Sequence, residues 1–191
     1  MTISLDEARA HLKVEHNDED LMINAWINAA TGNAEHITGT RIAQKQITKK
    51  FPAFSSEMQL EWPLISVDQI KYIDTNGVEQ TLYDTINTPN ITSSVFQVVK
   101  KWQAGLSLGK PYLTTAYDQS WPDSRIQPEA VTVVYTAGYA SNSIPDDIRS
   151  ALLLLIGHLY KNRETTVTGT IISDLPFGYV ELLQSHKIYS L

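Results

Sequence analysis

The chain has 191 residues, enough for one domain or for one core with an insertion. Hydrophobic residues make up 42% of it and charged residues 19%, the balance of a soluble globular protein, and the absence of cysteine excludes a disulfide framework, thiolate catalysis and a thiolate metal site. A formal net charge of −6 argues against a nucleic-acid binder, because affinity for phosphates comes from clustered Lys and Arg.

The first ten residues, MTISLDEARA, lack the basic start and apolar stretch of a signal peptide. The longest apolar run, Ala151 to Gly157, is far short of the ~20 residues that a membrane-spanning helix needs. The expectation is a cytoplasmic chain with no membrane segment.

Ser4 followed by Glu7 forms a capping box, so a short helix is expected from Leu5 to Leu12. Asn17 is placed to cap a second helix, with Asp18, Glu19 and Asp20 in its first turn, where negative charge complements the helix dipole. Met22, Trp26, Ala29 or Ala30, Ala34 and Ile37 recur at helical spacing, and Gly39 is placed to end the helix.

The texture then changes. From Gln46 to Thr136 the chain favours β-branched and aromatic residues broken by Pro, Gly, Asn and Asp. Val67, Ile70 and Tyr72 alternate with polar residues. Asp74-Thr75-Asn76-Gly77 reads as a hairpin turn, with Val78 to Tyr83 as the return strand. Val95 to Trp102 and Val131 to Thr136 are further strands, and 103–128 reads as loop.

Pro145 suits the first position of a helix, where its missing N–H costs nothing, and Asp146 and Asp147 fall in the first turn. This helix is expected over 145–163. Its segment Ala151 to Ile156 is apolar on every side, and a helix apolar all round must be buried all round. That is hard to satisfy in so small a chain unless neighbouring copies share the burial. Burying each of Leu152, Leu153, Leu154 and Leu155 is worth ~1.5–3 kcal/mol. Thr165 to Ser173 reads as a loop, and Pro176 opens a last helix carrying Val180, Leu182, Leu183 and Ile188. The fold class is therefore α+β. The domain reading is a single discontinuous domain over 1–191, with a helical layer from 1–44 and 140–191 and a β-rich insertion over 45–139.

Catalytic chemistry finds little support. Gly105-Leu-Ser-Leu-Gly109-Lys110 has three residues between its glycines where a phosphate-binding loop needs four, and Pro111 follows the Lys where Ser or Thr should hold magnesium. His11, His16, His36, His158 and His186 include no pair at i, i+4 and have no cysteine partners, so no metal site is expected. The acidic pairs at Asp18–Asp20 and Asp146–Asp147 are accounted for as first-turn residues. There is no Gly-x-Ser-x-Gly elbow. Neither a cofactor nor an enzyme activity is expected. Trp62, Trp102 and Trp121 are core residues or interface anchors.

The ordered segments YTAGYA (135–140), IPDDIRSALLLL (144–155), HLYKNRE (158–164) and DLPFGYVELL (174–183) resemble the head–tail connector, or portal adaptor, proteins of tailed bacteriophages. The opening ISLDEARAHLKVEHNDEDLMINAWINAATGNAEHITG (3–39) resembles the start of the same family, and WPLISVDQIKYIDTNGVEQTL (62–82) matches it loosely. The resemblance implies a structural virion protein. It would form a ring, usually of twelve copies though monomeric in isolation, that docks on the portal protein, extends the DNA channel and meets the next tail-side component. It would be located at the head–tail interface, and in the host cytoplasm during assembly.

An acidic ring suits passive, non-specific passage of duplex DNA, since like charge keeps phosphates from sticking. Leu159, Tyr160, Arg163 and Glu164, at the end of the long helix, are candidate assembly residues. Stabilisation of the helix end by Lys161 and Arg163 is the competing account of that segment. Ile188, Tyr189 and Leu191 form an apolar chain end that docks either on its own helical layer or on the portal. The alternative to the whole reading is a small cytoplasmic α+β enzyme or ligand-binding domain.

Overall fold

In a computed structural model the chain is described at residues 2–88, 94–100, 102–103, 106–107, 109–140, 143–163 and 177–188. It divides into two compact units. A helical unit takes residues 1–44 and 139–188, and a β unit takes 45–138.

The helical unit holds α1 (Leu5–Leu12), α2 (Asp20–Thr38), α3 (Asp146–Lys161) and α4 (Phe177–Gln184). Ser4 caps α1, its Oγ accepting the Glu7 N–H at 3.1 Å. The Glu7 carboxylate is bound to Arg149 Nη1 at 2.8 Å, so it is engaged across the unit. α2 begins at Asp20, later than its acidic run suggests. Asn17 is not its side-chain cap, because the Asn17 Oδ1 accepts a hydrogen bond from Arg9 Nη2 at 2.8 Å instead. Gly39 closes α2 at φ +67°, a left-handed conformation that a Cβ would strain, and its N–H meets the Glu35 carbonyl. Pro145 stands just before α3 rather than inside it.

The core of this unit is built by Ile23, Ile27, Ala30 and Ala34 from α2, Ile148, Ala151, Leu152, Leu155 and Ile156 from α3, and Tyr179 and Leu183 from α4. α3 is not buried all round. Leu152 and Leu155 are enclosed, Leu153 is half-buried, and Leu154 is 42% exposed. The two chain segments of the unit are joined where Tyr139 donates its N–H to the Ile42 carbonyl at 3.0 Å beside a parallel bridge between Ala43 and Tyr139.

The β unit contains β1 (Lys45–Phe51), β2 (Met58–Gln59), β3 (Leu64–Ile73), β4 (Glu79–Asp84), β5 (Phe96–Val99), β6 (Trp102–Gln103), β7 (Leu106–Ser107), β8 (Tyr112–Thr115) and β9 (Val131–Ala137). One antiparallel sheet runs β1-β9-β3-β4, a second runs β2-β8-β5, and β6 pairs with β7. β9 buries Val131, Val133, Tyr135 and Ala137 at period two, so one face lies on the core. Gly77 closes the β3–β4 hairpin at φ +84°, while the Asp74 Oδ1 accepts the Asn76 and Val78 N–H groups. β8 lies in the stretch expected to be loop. Its Leu113 is fully buried opposite Met58 of β2, a pairing across more than fifty residues that local sequence does not announce. Trp121 stacks on Phe54 at 4.7 Å between centroids and donates its Nε1–H to the Ser55 carbonyl.

The fold is α+β. Among the described residues, no helix is long and apolar enough to cross a membrane.

Candidate assembly site

The predicted assembly residues lie at the end of α3, where the backbone brings them to the start of α2. Tyr160 donates its hydroxyl to Glu19 Oε2 at 2.8 Å. Arg163 Nη2 donates to Glu19 Oε1 at 2.5 Å. The Arg163 guanidinium lies 4.7 Å from the Tyr160 ring centroid and 5.6 Å from that of Trp26, which meets Tyr160 edge to face at 5.6 Å. A flat cation set against two aromatic rings that touch each other, with a carboxylate on its edge, uses both the fork and the π-face of arginine.

The hydrogen bonds from Arg163 and Tyr160 hold the Glu19 carboxyl below the usual range. The hydrogen bond to Glu19 raises the Tyr160 hydroxyl and keeps Arg163 protonated. Leu159 is half-buried against the helical core. Three of the four residues thus turn toward their own unit, and Glu164 lies outside the described residues. Sequence reasoning missed Glu19 and Trp26 as their partners. The only available signal was the placement of Glu19 at a helix start, which has its own sufficient local explanation.

The end of the described chain is also tied down. Ile188 is 7% exposed, and its N–H reaches the Thr38 carbonyl at 2.8 Å. Just before it, His186 Nε2 lies 2.6 Å from Asp147 Oδ2 at the start of α3. Burial pushes the Asp147 carboxyl up, but the His186 hydrogen bond and charge and the Ile148 N–H outweigh it and hold the group below its ordinary value. Tyr179 donates its hydroxyl to Asn33 Oδ1 at 2.6 Å, and burial pushes it up to about 12. Tyr189 and Leu191 lie outside the described residues.

Among the described residues no group of three His, Asp or Glu side chains could hold a metal ion. His16 is near Asp18 at 3.8 Å, His158 touches Asn162, and the His11 ring lies over Gly157. Asp20 pairs with Arg9, whose Nε donates to Asp20 Oδ1 at 2.8 Å while its Nη2 bonds Asp20 Oδ2. Gly105 and Leu108 of the glycine-rich turn, and the side chain of Trp102, lie outside the described residues.

What emerges is a set of helix-to-helix ties, with the described chain held as far as Ile188. Residues 2–102, more than half of the chain, match the family model described as phage gp6-like head–tail connector protein. The chain belongs to this family. It is a structural head–tail connector protein of a phage-type virion. Its fold is also that of chains in three solved particles. One is described as the virion of a native gene transfer agent particle (TM-score 0.73, 18% identity). The second is the neck of an empty gene transfer agent particle computed with C6 symmetry (0.70, 18%). The third is the neck of a native particle computed with C12 symmetry (0.69, 17%). Each likeness covers 100% of this connector and 91% of the other chain. No curated protein sequence matches it.

Proposed function

We propose that this connector acts as a ring of copies, twelve in the virion, that seats on the portal protein, continues the DNA channel and offers its far side to the next tail component. The observation that carries the reading is family membership over residues 2–102, joined to a full-length fold likeness to chains from particles whose necks were computed with C6 and C12 symmetry. The role is structural and not enzymatic.

Charge supports passage of DNA without binding. Segments 1–44 and 139–191 hold seven Lys and Arg against twelve Asp and Glu, a net −5, and residues 45–138 hold eight against nine, a net −1. An acidic helical unit facing the channel repels phosphates and lets a duplex slide. Leu159, Tyr160 and Arg163 serve assembly by holding the end of α3 against the start of α2, so that the surfaces of both helices are presented in fixed register, and Glu164 is assigned to the same assembly role. The chain end grips the portal through Tyr189 and Leu191, with Ile188 as the anchor in its own unit.

The test is to make particles lacking this chain and then add it back. Restoration of tail attachment to filled, tailless heads is the expected result. Heads that join tails equally well without it would overturn the reading. Removing 189–191, which leaves buried Ile188 in place, should preserve the fold and abolish attachment to portal-bearing heads. Normal attachment by the truncated chain would remove the portal-gripping role.

A further inference from the structure

α2 is 19 residues long, and its outward face is unusual for an acidic unit. Leu21 is 87% exposed and Met22 46%, and Ala25, Ala29 and Gly32 follow them on the solvent side. No Asp, Glu, Lys or Arg stands among them. The acids of this helix are all turned to partners inside the unit: Asp20 to Arg9, Glu35 to Arg41 at 2.8 Å, and the preceding Glu19 to Arg163.

Gly32 sharpens the point. It has helical backbone, and a Cβ placed on it would meet nothing within 4 Å. Among the described residues no turn, positive φ or close approach calls for glycine there, although glycine in a helix interior costs roughly 0.5–1 kcal/mol relative to alanine. A large exposed leucine at one end and the small residues Ala29 and Gly32 toward the other form a surface shaped for another element to lie on.

We infer that the outward face of α2, from Leu21 to Gly32, is the surface on which the adjacent copy of this chain packs in the ring. The inference rests on the ring reading and names its contact. The occupant follows from charge. Copies that each carry −6 repel wherever their acidic surfaces meet, so they associate most readily across faces from which charge has been withdrawn. The long apolar helix α3 is largely enclosed within its own subunit, which leaves α2 as the helix with the more exposed uncharged face. In a ring of more than two copies the same patch cannot face itself, because only a two-fold axis brings a surface onto its own image. The α2 face therefore meets a different surface of the next copy.

Gly32→Leu tests this without harming the fold, since the site is open and leucine is a better helix former. The isolated variant should melt no lower than the parent chain, and its incorporation into neck-bearing particles should fall at least about tenfold, the equivalent of ~1.4 kcal/mol at one contact. Val78→Asp, on an exposed position of the β unit, should incorporate normally. If Gly32→Leu enters particles as well as the parent does, the α2 contact is overturned while the ring reading stands. If the parent chain itself never enters particles, the ring reading falls.

The occupant is read separately. The chain has no native cysteine, so Asn28→Cys carries a single benzophenone at the edge of the face. Irradiated particles should yield an adduct of twice the chain mass that maps outside residues 20–38. An adduct to a different protein, or one mapping back into α2, overturns the inference.

Discussion

In the β unit the long-range links are made by backbone, as in the ladder of β1 on β9 from Lys45↔Ala137 to Phe51↔Val131. In the helical unit each helix spends its backbone bonds within itself, and helix-to-helix links are made by side chains. They are apolar packing of Leu152, Ile156, Ile27 and Tyr179, and polar ties from Glu7 to Arg149, Arg9 to Asp20, Glu19 to Arg163 and Asp147 to His186. The charge pairs of the β unit are peripheral by comparison, such as Lys50 with Glu129 and Lys71 with Glu79, between strands or loops the ladders already place. The difference teaches where each unit is vulnerable. One altered side chain can uncouple helices, whereas a strand keeps its register through many bonds.

The sharpest way to break this comparison is at Leu152, fully buried in α3. Leu152→Ala should cost about 2–5 kcal/mol, a large part of a domain's stability. Leu152→Asp should unfold the helical unit, seen as loss of helical circular dichroism. An unchanged melting temperature for both variants would show that side-chain packing does not hold this unit.

Titration separates the units next. Tyr179 in the helical unit is raised from its ordinary value to about 12 by burial. A raised group contributes stability fully present below its unfolded value of about 10 and lost as pH climbs toward 12. Alkaline unfolding should therefore begin in the helical unit, and Tyr179→Phe should delay it. Asp84 in the β unit is lowered to about 2, chiefly by the hydrogen bond from the Asn87 side chain, then by the Asn87 N–H, with Gln69 and the Ile86 N–H also contributing against the opposing effect of burial. A lowered group contributes stability present above its ordinary value of about 4 and lost as pH falls toward 2. Asp84→Asn should flatten the acid limb between pH 4 and 2. An unchanged acid limb would remove Asp84 from the account.

Arg163→Ala comes third. It removes the guanidinium from Glu19, Tyr160 and Trp26 together, and should lower the melting temperature less than Leu152→Ala does. Arg163→Lys keeps the charge but not the flat stacking surface, and should recover only part of the loss. Full recovery would mean that charge alone mattered. The smallest effect is a gain. Gly32→Ala should stabilise the isolated chain by about 0.4–1 kcal/mol, because it lowers the entropy of the unfolded chain at a position with open space. Gly39→Ala, at φ +67°, should do the opposite.

What the sequence determined by itself was local. Ser4 and Gly39 act at helix ends through bonds within a few residues, Asp74 to Gly77 makes its turn through the Asp74 carboxylate and the turn's own backbone, and the period of Val131, Val133 and Tyr135 marks a buried strand face. These signals are complete within one turn of chain, so they can be read without a fold. The α+β class and the family resemblance were legible for the same reason, since both follow from the order of such segments. Tertiary structure alone decided the rest. Asn17 was drawn from capping to Arg9, and β8 became a strand because Met58 and Phe96 flank it. A helix of period 3.6 cannot hide four consecutive leucines on one side, and the packing of α3 decided that Leu154 is the one that faces outward. Glu19 met Arg163 across 144 positions of sequence, a distance over which no local pattern carries information and only the packing of α2 on α3 decides which charges touch.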